Sequence, residues 1–174
     1  MMGQEILESG NLDHLVASIA EALDARGEML AAAESCTGGL IAAACTERSG
    51  SSVWFDRGFV TYSNAAKRDC LEVKEDTLAA HGAVSEAVVH EMCAGALAGS
   101  AADWSVAVSG VAGPGGGTPD KPVGTVVIGW QHYGKPASVT TYRFDGGRAA
   151  VRYASVFETL AGLNKRVTRP ENVR

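Results

Sequence analysis

The sequence has no CxxC pair, no GxSxG elbow, no GxxxxGK[ST] loop and no apolar run long enough to cross a bilayer. Each absence removes a class of protein. The four cysteines, Cys36, Cys45, Cys70 and Cys93, are widely spaced, which excludes zinc-site spacing and the dense disulfide framework of a small secreted domain. Four free thiols and no metal site are therefore expected. The opening residues MMGQEILESGNLDH lack a basic segment followed by an apolar one, so no signal peptide is read. The richest apolar stretch, Leu30 to Ala44, is interrupted by Glu34, Ser35 and Thr37, short of the roughly 20 residues that span a bilayer. A cytoplasmic protein without a membrane partner is expected. Fifteen basic against twenty acidic side chains leave a net charge of −5. Broad nucleic-acid binding needs a basic surface, and no nucleic-acid partner is expected.

What remains is an ordinary globular composition, 46% hydrophobic and 20% charged, over 174 residues. That length predicts one domain, residues 1–174, with its core over about 12–163 and a polar, frayed tail over 164–174. Helical and strand-like segments alternate. Apolar residues recur at helical spacing from Leu12 to Arg26, and Gly27 follows as a stop. Met29 to Ala33 reads as a buried strand, Thr37 to Thr46 as a helix, and Arg57 to Ser63 as a strand. Asn64 to Leu71 reads as a short helix that Ser63 caps, and Thr77 to His81 as a helical turn closed by Gly82. Ser85 suits the N-cap of a helix reaching Leu97. Its apolar side is a candidate packing face for a second copy. Trp104 to Val108 is a strand running into VSGVAGPGGG. Gly124 to Trp130 and Ala137 to Phe144 are joined too closely for a parallel crossover, so they pair antiparallel. Arg148 to Leu163 is a final amphipathic helix. The sum is a three-layer α/β/α sandwich with a mixed, mostly parallel sheet of about five strands. Ligands collect at the carboxyl ends of such strands, and three of those ends carry Glu34-Ser35, Thr61-Tyr62-Ser63 and Ser109-Gly110.

Ser35 follows a strand and precedes Thr37-Gly38-Gly39 and a helix. That placement suits two roles. One is a helix cap with glycines for the turn. The other is a nucleophile, with backbone N–H groups around Thr37 and Gly38 facing a developing oxyanion. A serine nucleophile needs a base, and none of His14, His81, His90 and His132 sits in a catalytic pattern. Lys67, a helical turn beyond Ser63 in TYSNAAK, is the other candidate. An ordinary lysine has a pKa near 10.4, so burial would have to favour the neutral amine; otherwise Lys67 belongs to a solvated helix face. Tyr62 is placed to orient a proton between them. The loop from Gly110 through Gly113 to Thr118 departs from any nucleotide fingerprint, yet its glycines permit close backbone approach to a ligand. Arg148 suits either an anion site or a surface ion pair.

AESCTGG, GSSVWFDRGFVTYSNAAK, HGAVSE, VSGVAGPGGG and KPVGTV together resemble the motifs of the CinA C-terminal domain family, over about Leu30 to Arg152. The resemblance implies a serine–lysine amidohydrolase with neither metal nor organic cofactor. It implies deamidation of nicotinamide mononucleotide to nicotinate mononucleotide and ammonia in pyridine nucleotide salvage. It carries the nucleophile onto Ser35, the base onto Lys67 and a supporting hydroxyl onto Tyr62. Thr37, Gly38, Gly39, Ser109, Gly110, Gly113 and Arg148 would line the substrate pocket. A homo-oligomer, dimer or higher, is expected on the same ground. Longer members carry a further N-terminal domain for which this chain has no room. The rival reading is a catalytically silent interaction domain linked to competence or the DNA-damage response.

Overall fold

The computed structural model describes residues 10–169. The elements in chain order are α1 (Gly10–Asp24), β1 (Leu30–Glu34), α2 (Leu40–Glu47), a 3-10 turn (Ser51–Val53), β2 (Phe55–Val60) and α3 (Asn64–Leu71). Then follow α4 (Glu75–His81), α5 (Glu86–Ala98), β3 (Trp104–Gly110), β4 (Thr125–His132), β5 (Ser138–Arg143) and α6 (Arg148–Thr168). The five strands form one sheet in the order β2-β1-β3-β4-β5. β1 runs parallel to both β2 and β3, whereas β3–β4 and β4–β5 are antiparallel. The expected hairpin is therefore present. The chain also reverses between β3 and β4, because residues 111–124 return it through a loop instead of a crossover helix.

Side chains alternate across a strand, and the sheet uses this to serve two cores. Leu30 and Ala32 of β1, Val106 and Val108 of β3, and Val126 and Ile128 of β4 pack with α1, α2 and α6. Ala31, Ala33, Ala107 and Val127 face the other way, onto α3, α4 and α5. The three layers expected from the sequence follow directly. β1 lies between β2 and β3 and is buried at every residue. Its residues are small, and the helices approach closely over them.

Three boundaries differ from the sequence reading. The helix expected from Thr37 begins at Leu40, because Gly38 and Gly39 take φ values of +60° and +98°. That left-handed backbone suits glycine and makes a turn instead of a first helical turn. The polar tail expected from Asn164 continues α6 to Thr168, with Val167 buried in the core; residues 170–174 lie outside the described residues. A polar composition hid one apolar contact per turn. The apolar side of α5, expected to be available to a second copy, is used within the chain: Val88, Val89, Met92, Cys93 and Ala96 are fully buried. No helix among the described residues is long and apolar enough to cross a membrane. All four cysteines are unbridged, with Cys70 exposed and the other three buried.

One close approach fixes the position of α3, which matters below because α3 carries Lys67. A Cβ on Gly95 of α5 would overlap the Leu71 carbonyl at the C-terminal end of α3. Gly95→Ala is expected to destabilise the protein by about 1–3 kcal/mol through overpacking, or roughly 2–4 °C of Tm per kcal/mol for a chain of this size. Gly115, whose Cβ would meet open space, provides the control. Thermal unfolding of Gly95→Ala and Gly115→Ala side by side checks this, and equal midpoints would contradict it.

Candidate active site

The parallel register assembles the site. Glu34 lies opposite Val60 of β2 and Val108 of β3, so the next residues along, Ser35, Thr61 and Ser109, emerge together at one edge. Two backbone hydrogen bonds continue the ladder past the strand ends: Ser35 N donates to the Val108 carbonyl (3.0 Å), and Thr61 N donates to the Glu34 carbonyl (2.8 Å). Ser35 is thereby held on both sides by backbone.

Lys67 reaches this edge from α3. Ser63 caps that helix, its Oγ accepting from Ala66 N at 3.0 Å. Side chains on a helix lean toward its N-terminus, which directs Lys67 back to the strand ends. Its Nζ donates to the Thr61 carbonyl at 2.7 Å and to Ser35 Oγ at 2.9 Å. Lys67 is 1% exposed, and no carboxylate pairs with it among the described residues. Burial pushes its pKa below the ordinary lysine value, opposed by the neighbouring Cys36. The surface-lysine alternative is thus not what the fold provides.

The α2 N-terminus has a different partner from the one expected. The buried Glu34 carboxylate accepts from Gly39 N (3.0 Å) and Ile41 N (3.1 Å) through Oε2, and from Ala42 N (2.9 Å) through Oε1. Gly38 N donates to the Ser35 carbonyl at 3.1 Å. The expectation that amides around Thr37 and Gly38 face a ligand is corrected at Gly38. The N–H groups of Cys36 and Thr37 donate to no backbone carbonyl among the described residues, and the Cys36 N–H faces its own thiol. Helix dipoles favour an anion at this end, and the chain supplies its own.

The other expected residues divide. Tyr62 is exposed, and its hydroxyl accepts from Arg148 Nη2 at 2.7 Å. Neither Ser35 nor Lys67 bonds it, so the proton relay is not among the contacts formed. Arg148 Nη1 also donates to the Gly113 carbonyl at 2.8 Å, tying the loop after β3 to the segment after β2 across the mouth of the site. Ser109 Oγ donates to the Ala83 carbonyl at 2.8 Å, which fastens the HGAVSE segment to β3 and turns this hydroxyl away from a ligand. Gly110 lies where a Cβ would come within 3.1 Å of the Cys36 sulfur. A helix N-terminus lowers a nearby thiol pKa, but burial outweighs it at Cys36 and pushes the thiol up to about 11.

Three contributors had no role in the sequence reading. Glu34 holds the turn after Ser35. Thr61 supplies the carbonyl that binds Lys67, and its buried Oγ1 has no partner among the described residues. Arg152, one turn beyond Arg148, donates from Nη2 to the Thr37 carbonyl at 3.1 Å, leaving its buried Nε unpartnered. The signals were faint: an acidic residue inside an apolar strand, and a second arginine at i+4.

With this geometry in place, known proteins can be compared. Residues 12–167 match the family model of the CinA C-terminal domain. Nicotinamide-nucleotide amidohydrolase PncC of Enterobacter agglomerans is 54% identical over 157 residues, covering 88% of this chain and 94% of that protein. The protein of the same name from Escherichia coli (strain K12) is 49% identical over 146 residues, covering 84% and 88%. Among solved structures, the competence/damage inducible protein CihA from Agrobacterium tumefaciens superposes with a TM-score of 0.88 at 44% identity, covering 92% of this chain and 97% of that one.

The Glu34 contacts are open to a direct test. Glu34→Gln keeps the shape but places an NH2 group where an oxygen now meets backbone donors. It also removes the charge that opposes the α2 dipole. A loss of about 1–3 kcal/mol is expected, read as a lower urea midpoint at unchanged m-value. An unchanged midpoint would show that the three contacts contribute nothing net.

Proposed function

The chain belongs to the CinA C-terminal domain family, and we propose that it hydrolyses the carboxamide of nicotinamide mononucleotide, releasing ammonia and nicotinate mononucleotide. Ser35 is the nucleophile and Lys67 the general base of this reading. One observation carries it: the buried Lys67 Nζ, 2.9 Å from Ser35 Oγ with no carboxylate beside it. The names of the relatives in Enterobacter agglomerans and Escherichia coli supply the substrate class.

The reaction follows from the contacts. A neutral amine has two N–H groups and one lone pair. The Thr61 carbonyl takes one N–H, which turns the lone pair toward the Ser35 hydroxyl. Lys67 accepts the hydroxyl proton as Oγ attacks the carboxamide carbon. The oxyanion is received by the N–H groups of Cys36 and Thr37, the two in the turn that donate to no backbone carbonyl; such donors are each worth roughly 10²–10³ in rate. Protonated Lys67 then gives its proton to the departing nitrogen, and ammonia leaves. Water, deprotonated by the same amine, resolves the acyl-enzyme to the carboxylate. No metal or organic cofactor takes part in this scheme. The product is the acid form of a pyridine nucleotide, which suits salvage into NAD synthesis.

Arg148 and the loop at Gly113 are the phosphate-side groups of this reading. In the absence of substrate Arg148 bonds the Tyr62 hydroxyl and the Gly113 carbonyl. A phosphate dianion is a stronger acceptor than either neutral oxygen, so Tyr62 holds the guanidinium in place until the anion arrives. Nicotinamide mononucleotide is expected to react with a kcat/KM roughly 10- to 150-fold above that of nicotinamide riboside, the range of one charge-assisted contact of about 1.5–3 kcal/mol. Parallel ammonia-release assays on the two substrates measure it. Equal efficiencies would remove phosphate recognition and leave the hydrolase intact; no ammonia from either would favour the silent interaction domain.

The base is tested by pH and substitution. Holding an ordinary lysine neutral at pH 7 costs about 4.6 kcal/mol, and burial lowers that cost by moving the pKa down. The active form is the deprotonated one. kcat/KM therefore rises with pH through an apparent pKa below 10.5, the ordinary value, and levels off above it. Lys67→Met and Lys67→Arg should each lose about 10²–10⁴ in kcat, the second because a guanidinium stays protonated throughout this range. A variant retaining a sizeable fraction of the native rate, or a profile flat from neutral pH upward, would exclude Lys67 as the base.

A further inference from the structure

A cavity of about 640 Å³ opens where β3 begins and β4 ends, at the edge of the sheet opposite Ser35. Its volume is in the range of small-molecule sites, about 300–1,000 Å³. Four cationic side chains line it. Lys135 comes from the turn between β4 and β5, and Lys165, Arg166 and Arg169 come from the end of α6. No carboxylate among the described residues lines it, although the chain as a whole carries a net charge of −5. Trp104, Trp130 and Pro136 contribute the apolar wall.

Arg166 is held in a fixed pose. Its guanidinium carbon lies 4.2 Å over the Trp130 ring, Nη2 donates to Ser138 Oγ at 2.9 Å, and Nη1 donates to the Gly162 carbonyl at 2.8 Å. Lys135, Lys165 and Arg169 form no ion pair among the described residues. The carboxylate beside this wall, Glu28, is already engaged by Trp104 Nε1 (3.0 Å), Arg26 Nε (3.2 Å) and His132 Nε2 (3.3 Å). Basic residues in the last turn of a helix complement its dipole, which accounts for Lys165 and Arg166. It does not account for Lys135 on the facing turn, nor for a lining without acid among the described residues.

From this convergence we propose that the cavity binds a small polyphosphate anion, a di- or triphosphate group either free or carried by a nucleotide. Like charges gathered around one opening repel, and a multiply charged phosphate relieves that repulsion with a contact to each wall. Lysine heads meet phosphate as point charges and arginine meets it as a fork. A seven-residue strand, β3, separates the cavity from the Ser35 edge, or about 20 Å at the usual rise. A mononucleotide held at Ser35 does not reach it.

The test titrates sodium tripolyphosphate, ATP and orthophosphate into the full chain, followed by calorimetry and by tryptophan fluorescence. Two of the three tryptophans line the cavity. Tripolyphosphate is expected to saturate at least roughly tenfold more tightly than orthophosphate, since it adds at least one charge-assisted contact. ATP binding more tightly than tripolyphosphate identifies a nucleotide as the source of the group; equal or weaker binding identifies the free anion. Saturating nicotinamide mononucleotide should leave the titration unchanged. The Lys135→Glu/Lys165→Glu variant, altered only at exposed positions, should keep the native thermal midpoint and lose at least roughly tenfold in affinity. Native affinity in that variant, displacement by nicotinamide mononucleotide, or equal affinities for tripolyphosphate and orthophosphate would each overturn the proposal. None of these readouts depends on catalysis at Ser35.

Discussion

A lysine amine buried without a carboxylate beside it is costly in its charged form, by several kcal/mol even after relaxation. At Lys67 burial accordingly lowers the pKa, and the fold bonds the amine to the Thr61 carbonyl and the Ser35 hydroxyl. Ser63 caps α3 and sets the helix start; Gly95 lets the other end of α3 rest on α5. β2 ends so that the Thr61 carbonyl faces the amine. These supports come from three separate elements. The amine position is therefore a property of the whole α3–β2–α5 face.

Glu34 answers a second constraint at the same edge. A helix N-terminus attracts anions, and that of α2 lies directly behind Ser35. The Glu34 carboxylate fills that end of α2 with three hydrogen bonds. Arg152 bonds the Thr37 carbonyl on the other side of the same turn. Two charged groups from separate elements, Glu34 and Arg152, thus fix the buried turn of Cys36 and Thr37 that follows the serine.

The layers and the antiparallel hairpin were legible because hydrophobic period and connection length are local properties; the strand order came only with the structure. The runs at Leu30 and Trp104 are predominantly apolar, as strands buried on both faces are, with Ser105 an exception whose hydroxyl bonds the Cys93 carbonyl; the short QHYGKP connection left only antiparallel pairing for β4 and β5. Boundaries failed where a backbone angle decided them. Gly38 and Gly39 look like part of a helix in composition and become a left-handed turn in the chain. At Asn164 to Thr168 a polar surface conceals Val167, whose contact with the core extends α6. A single apolar residue per turn is too weak a periodic signal for so short a segment.

The site was legible to a different depth. Ser35 and Lys67 are 32 residues apart, and no spacing rule joins them; they were singled out because each stands just beyond a strand end. Strand ends in a parallel register share one edge, and that geometric fact converts separate local readings into a common place. What it cannot supply is the partner of each polar atom at that edge. Tyr62 lies in sequence between Ser35 and Lys67 yet bonds Arg148, because its exposed ring leaves the edge while the buried Thr61 before it stays. Ser109 stands one residue past the Glu34 register and still turns its hydroxyl to Ala83. Alternation along the chain decides both outcomes: of two adjacent residues at a strand end, one faces the inside and the other does not. The residue that holds Lys67 is therefore Thr61, through a backbone carbonyl that every residue type possesses, and such a contribution leaves no mark in the side-chain pattern.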